Sequence, residues 1–253
     1  MSQTAGIRVG CCGYTVSRDA YYRTFRVVEI QQTFYQLPQL KTAEKWRAEA
    51  PPGFEFTMKA WQLITHEPSS PTYRRLQEAI PEGAKERLGS FRPTPEVHEA
   101  WKRTAEFASA LGATVIVFQC PAGFQPTPEH VTNLRTFFSQ VDRGNFRFAW
   151  EPRGRWPEEL VAELCKELDL IHCVDPLKED CRTEGTVYYR LHGRTGYGYV
   201  YTDEDFRELC DKLRPGRVNY VMFNNVEMFK DAQRFLAYLR AHELSDRESS
   251  TLL

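Results

Sequence analysis

The chain reads as an α/β protein, a (β/α)8 barrel of the TIM type, and three observations predict it. Apolar strand-like runs recur at residues 7–12, 26–32, 54–60, 114–119, 145–151, 170–174, 186–192 and 218–224. Amphipathic stretches near 17–24, 41–49, 97–111, 128–140, 157–168, 203–213 and 229–242 separate most of them, and strands alternating with helices argue a parallel sheet. Eight such units in 253 residues fit a barrel of about 250 residues. The rival is an open doubly wound sheet, which would want a glycine-rich phosphate turn after its first strand. Gly10-Cys11-Cys12-Gly13 lacks that spacing. One domain over residues 1–253 is expected.

Each element has a local reason. Successive strand side chains alternate between faces. The second strand therefore sets Val28 and Ile30 against Glu29 and Gln31, and the third sets Phe56 and Met58 against Thr57 and Lys59. The fifth opposes Phe148 and Trp150 to Glu151 and Arg153, and the seventh opposes Tyr189 and Leu191 to Arg190 and His192. Helix starts at Thr127-Pro128-Glu129, Trp156-Pro157-Glu158 and Thr202-Asp203-Glu204 place a cap, a proline or acids in the first turn. Two connections break the repeat. The link from Pro176 to Gly185 is too short for an ordinary crossover helix, so the helix between the sixth and seventh strands is short or missing. The link from Trp61 to Ala113 is a long excursion between the third and fourth strands. The tail from Leu244 onward reads as frayed.

Composition narrows the function classes. Lys and Arg total 33 against 34 for Asp and Glu, so no global basic field advertises nucleic acid, although a local patch can still form. No run approaches the roughly 20 apolar residues needed to span a membrane, and Met1 to Gly6 has no signal-peptide core. Seven cysteines without a CxxC pair fit a reducing cytoplasm better than a disulfide framework. A cytoplasmic location without membrane contact is expected.

In a barrel enzyme the site lies at the C-terminal ends of the strands. Those ends carry Cys12, Glu29, Gln31, Lys59, Gln119, Glu151, Arg153, Asp175, Arg190, His192 and Asn224. A packed interior has no use for so many polar groups unless they pair or meet a ligand. The competing reading is a salt-bridge lattice that holds the barrel mouth together. Two facing carboxylates, Glu29 and Glu151, suit general acid/base work, and His192 can move a proton near neutral pH. Lys59, Arg153 and Arg190 suit a phosphate or carboxylate. Tyr35 and Trp156 are among the aromatics flanking the mouth, where rings stack bases or sugars. Of the six histidines only His192 ends a strand; His66, His98, His130, His172 and His242 fall in loops or helices, and no HxH or HExxH spacing occurs. No metal and no cofactor are expected.

The motifs also resemble a family. Val28-Glu29-Ile30-Gln31-Gln32-Thr33-Phe34-Tyr35-Gln36-Leu37-Pro38 resembles the VE-x-N-x-TFY-x-x-P signature of the YecE-like family, domain of unknown function 72. The likeness continues through Phe56-Thr57-Met58-Lys59, Ile64-Thr65-His66, Gln119-Cys120-Pro121, Glu151-Pro152-Arg153 with Trp156, Tyr189-Arg190-Leu191-His192-Gly193 and Phe223-Asn224-Asn225. Gln31 and Gln32 depart from it, standing where the family usually has Asn and a small residue. The resemblance implies a TIM-type barrel related to endonuclease IV and sugar isomerases, but no settled activity.

The resulting expectation is a hydrolase acting on an anionic, sugar-containing substrate, a nucleotide or nucleic-acid fragment. Glu29, Glu151 and His192 are its catalytic candidates. Gln31, Tyr35, Lys59, Gln119, Arg153, Trp156, Asp175, Arg190, Asn224 and Asn225 are its substrate-binding candidates. The alternatives are a non-catalytic binding protein for a phosphorylated or nucleic-acid ligand, and a metal-dependent sugar isomerase or lyase.

Overall fold

The computed structural model describes residues 6–250, with side chains described through residue 242. The first half contains β1 (Ile7–Cys11), α1 (Arg18–Thr24), β2 (Val27–Ile30), α2 (Gln32–Tyr35), α3 (Leu40–Glu49), β3 (Glu55–Lys59), α4 (Gln62–Thr65) and α5 (Pro95–Leu111). Then come β4 (Ala113–Gln119), α6 (Pro128–Gln140), β5 (Arg147–Glu151), α7 (Glu158–Glu167) and β6 (Leu170–Val174). The chain finishes with β7 (Val187–Leu191), α8 (Asp203–Lys212), β8 (Asn219–Phe223) and α9 (Met228–Ser250). The strands follow one another in a closed barrel, β1 through β8. That is the fold class read from the sequence, including the missing helix between β6 and β7 and the excursion between β3 and β4. The excursion holds α4, two 3-10 turns at Pro71–Arg75 and Glu82–Arg87, and α5.

By its internal contacts the chain divides into two compact units, residues 29–173 and residues 1–28 with 174–253. In the first, Lys59 aligns with Val117, Val117 with Ala149 and Gln119 with Glu151. Aligned residues of parallel strands share a face, so Lys59, Gln119 and Glu151 lie on the inner one. Phe118 and Phe148 take the outer face, where Trp101 of α5 lies 5.8 and 5.2 Å from their ring centres. Phe138 of α6 closes on Phe118 at 5.0 Å. His172 aligns with Trp150, so it belongs to the outer face of β6 rather than to a loop or helix as the sequence suggests. Thr94 and Thr127 cap α5 and α6, with a proline in each first turn.

The second unit is built on the same rule. Tyr188 and Tyr220 align across β7 and β8 and stack at 5.1 Å. Phe223 faces outward onto Tyr201, Phe206 and Phe235. Thr202 and Asp205 form a reciprocal capping box at the start of α8. Tyr21 accepts the Cys11 backbone N–H at 2.7 Å and donates to the Val27 carbonyl at 2.9 Å. The backbone of α9 continues to Ser250, past Leu244; side chains from residue 243 on, like residues 1–5 and 251–253, lie outside the described ones.

Several strand ends are shorter than the sequence suggests. β2 stops at Ile30, and Gln31 takes helical angles (φ −89°, ψ −32°) as the cap of α2, so Gln31 is not a strand neighbour of Glu29. β5 stops at Glu151 and β7 at Leu191, leaving Arg153 and His192 on the loops that follow. The four-residue helices α2 and α4 are too short to show a helical period. All seven cysteines are free. Among the described residues no helix is long and apolar enough to cross a membrane.

One turn of the excursion is backbone-critical. Gly89, Ser90 and Phe91 all have positive φ, at 77°, 51° and 53°. A Cβ on Gly89 would lie 2.3 Å from the His66 carbonyl oxygen. Gly89→Ala should therefore cost about 1–3 kcal/mol through the strained conformation and the collision. Urea unfolding checks this, and an unchanged midpoint would refute the constraint.

Candidate functional site

The inner-face residues of 29–173 place polar groups at the C-terminal ends of β2 to β5. Lys59 ends β3 and is buried. Its Nζ donates to Gln119 Oε1 at 2.7 Å and lies 3.8 Å from the centre of the Phe34 ring. The position is fixed from behind: Thr33 Oγ1 in α2 donates to the Lys59 carbonyl at 2.8 Å and to the Ile30 carbonyl at 3.1 Å. Those two bonds tie the ends of β2 and β3 together and seat Phe34 beneath the ammonium. Ammonium over an aromatic face is an attractive arrangement that strengthens when desolvated.

Glu29 is fully buried and accepts from the Gln31 side-chain amide. Gln31 thus reaches Glu29 by leaving the strand, not by continuing it. Glu151, 5% exposed, receives both Nε (3.1 Å) and Nη2 (3.0 Å) of Arg153 on one oxygen, Oε1. The Arg153 side chain remains 32% exposed. The pair spans from buried carboxylate to solvent-reaching guanidinium.

His66 belongs to this cluster, and the strand-end reading passed it over. It caps the C-terminus of α4, is 3% exposed, shares a 2.8 Å hydrogen bond between Nδ1 and Thr65 Oγ1, and meets the Phe34 ring edge-on at 4.8 Å. Burial, then the positive charges of Lys59 and Arg153, push its pKa down to about 3. Its imidazole is neutral at physiological pH. The signal available in the sequence was its place in the Ile64-Thr65-His66 motif; its loop position concealed it.

The other predicted residues of this unit sit close by but differ in job. Trp156 donates its indole N–H to the Phe124 carbonyl at 2.8 Å and packs edge-on against Trp150 at 5.0 Å. Tyr35 lies under the Arg75 guanidinium at 3.5 Å.

In the second unit, Asp175 follows β6 and accepts the His192 backbone N–H at 3.0 Å and the Leu177 N–H at 3.2 Å. His192 Nδ1 and Lys178 Nζ stand 3.7 and 3.8 Å from the same carboxylate. Asp175 therefore anchors the end of β7 as well as facing the Lys178 ammonium and the His192 ring. Arg190 is 1% exposed within β7. Asn224 is half-buried and bonds through its backbone to Leu191. Asn225 donates to the Tyr199 carbonyl and to Asp231, which holds down the glycine-tyrosine loop after β7.

Among the described residues no three His, Cys, Asp or Glu side chains are grouped to hold a metal ion. Cys120 at the end of β4 is a poor nucleophile: burial raises its thiol above the ordinary range, and the thiolate is the reactive form.

A closed barrel of eight parallel strands with polar groups at the strand ends defines the class. The chain belongs to the family described as protein of unknown function DUF72, which matches residues 16–251. It is 26% identical to the UPF0759 protein YunF of Bacillus subtilis (strain 168) over 208 residues, covering 75% of this chain and 67% of that protein. Among solved structures, a DUF72 family protein of Enterococcus faecalis V583 superposes with a TM-score of 0.69 at 18% identity, covering 93% of this chain and 96% of the other. Endonuclease IV from Thermus thermophilus superposes at 0.50 with 15% identity, covering 92% and 99%. At such identities these structures show the fold alone.

The His66 shift carries a pH consequence. Its folded pKa of about 3 lies below the ordinary value of 6.5, so the unfolded chain binds the extra proton first as pH falls. Stability from this group is complete above about 6.5 and is lost progressively towards 3. His66→Gln should lose less stability than wild type between pH 7 and pH 4, by up to about 3 kcal/mol. Urea midpoints against pH measure it; parallel curves would show that His66 is not held neutral.

Proposed function

We propose that the cluster around Lys59, Glu151 and Arg153 is the active site of a hydrolase acting on an anionic, sugar-containing substrate, a nucleotide or nucleic-acid fragment. The observation that carries the reading is geometric: the buried Lys59 ammonium and the solvent-reaching Arg153 guanidinium stand at the same strand ends as the buried carboxylates Glu29 and Glu151. Burial is the main reason His66 stays neutral, and the charges of Lys59 and Arg153 add to it; those same charges attract an anion.

The geometry supplies parts in an order that suits hydrolysis. Arg153 reaches solvent from a buried partner and would meet the anion first. Lys59, on the inner face and bonded to an uncharged amide oxygen, would take the second contact and stabilise charge developing on the reacting group. Glu151 would take the proton from the attacking water, with its carboxylate oriented by the Arg153 fork. Glu29, oriented by Gln31, would serve the leaving group. Neutral His66 would donate or accept a hydrogen bond without adding charge.

Thymidine 5′-(p-nitrophenyl phosphate), an anionic phosphodiester on a sugar, is a direct probe. Wild type should release p-nitrophenolate, Glu151→Gln should slow turnover at least about a hundredfold, and Arg153→Gln should chiefly raise KM. Because the Arg153 side chain stays 32% exposed, removing its partner should cost only about 1 kcal/mol. Glu151→Gln turning over at the wild-type rate would defeat the proposal. Binding of the probe with no turnover by wild type would instead favour a non-catalytic binding protein.

A further inference from the structure

A cleft of about 530 Å³ lies outside this cluster, between α2 and the 3-10 turn Pro71–Arg75. We infer that it binds a nucleotide unit, the aromatic base stacked on the Arg75–Tyr35 pair and the phosphate held by Arg74 and Arg75. This site stands on its own residues and needs neither Lys59 nor Glu151.

The turn carrying both arginines is anchored. Ser70 caps it by accepting the Thr72 N–H, and Tyr73 donates to the His66 carbonyl at 2.8 Å. The Arg75 guanidinium lies flat enough over Tyr35 to sit 3.5 Å from its ring centre, and Tyr35 in turn meets Phe34 edge-on at 5.0 Å. A guanidinium held against a phenol ring offers a flat cationic surface on which a base can stack. Arg74 stands beside it, and a guanidinium grips phosphate oxygens in a fixed fork.

Charge favours the same ligand. The lining contains the two arginines and the amides Gln32, Gln36 and Gln77, with no carboxylate. The next acid along the chain, Glu78, is taken by both Nη atoms of Arg103 at 2.8 Å each. That bond is the main cause of its lowered pKa, and Gln36 of the lining also hydrogen-bonds to it, so its charge is paired rather than free to oppose an anion. Gln36 is engaged by the Leu37 carbonyl and the Gln77 N–H, while the exposed amides Gln32 and Gln77 supply the paired donor and acceptor that a base edge requires. The volume falls within the range of small-molecule sites. Free nucleotide and single-stranded nucleic acid share this chemistry.

Isothermal titration of the full chain with AMP, ribose 5-phosphate and an oligodeoxyadenylate six-mer tests the assignment. AMP should bind at least about tenfold more tightly than ribose 5-phosphate, the difference being the stacked base. Tyr35→Leu should erase that preference. Arg74→Glu/Arg75→Glu should lose at least tenfold in AMP affinity with an unchanged melting temperature, as both residues are exposed. A six-mer that binds much more tightly than AMP, with a steep salt dependence, identifies a strand as the source; equal affinities identify the free nucleotide. The inference is overturned if AMP does not bind, if ribose 5-phosphate binds as tightly, or if affinity falls with Arg153→Gln and not with the Arg74/Arg75 variant.

Discussion

The candidate site depends on how one buried ammonium is held. Lys59 is placed by its strand, locked through its carbonyl by Thr33, and occupied at its tip by Gln119 and the Phe34 face. A buried lysine is costly unless it is paired or hydrogen-bonded, so these contacts have to exist before the site can. They also propagate. The Thr33 bonds fix α2, α2 positions Phe34 and Tyr35, and Phe34 contacts His66. The short helix after β2 and the short helix after β3 are thus parts of one arrangement around a single charge.

From that arrangement follows the electrostatic character of the site. Two carboxylates lie inside, each oriented by a neighbour two residues on: Glu29 by Gln31 and Glu151 by Arg153. The motif Glu-x-Arg at the end of β5 keeps the acid buried while the base reaches outward. Burial and the cations together hold His66 neutral. Two buried carboxylates, an uncharged imidazole and an outward-reaching guanidinium are the parts on which the proposed hydrolytic reading rests.

Much of this was legible in the sequence. Period-two alternation identified the inner-face residues Lys59, Gln119 and Glu151, and the lengths of the connections identified both the missing helix before β7 and the excursion after β3. Where the reading failed, a backbone change did not show in the pattern. Gln31 looked like the next inward strand position, yet the chain turns helical there and the side chain reaches Glu29 by another route. His172 looked like a loop residue because polar groups rarely occupy an outer strand face packed on helices. His66 escaped because its role comes from a four-residue helix and from charges on β3 and on the loop after β5, which no local period records. The arginine cleft was invisible for the same reason, since Tyr35 and Arg75 are far apart in sequence and meet through the fold of the excursion.

The central claim is that Lys59 and Arg153, beyond the burial that chiefly keeps His66 neutral, add a positive potential there that a bound anion offsets. Nuclear magnetic resonance titration of the His66 ring, with and without thymidine 5′-phosphate, tests it most directly. The ring should stay neutral down to about pH 4 in the free protein, and its midpoint should move upward when the anion binds and offsets the two cations. A midpoint near the ordinary histidine value, or one that the nucleotide leaves in place, would contradict the account.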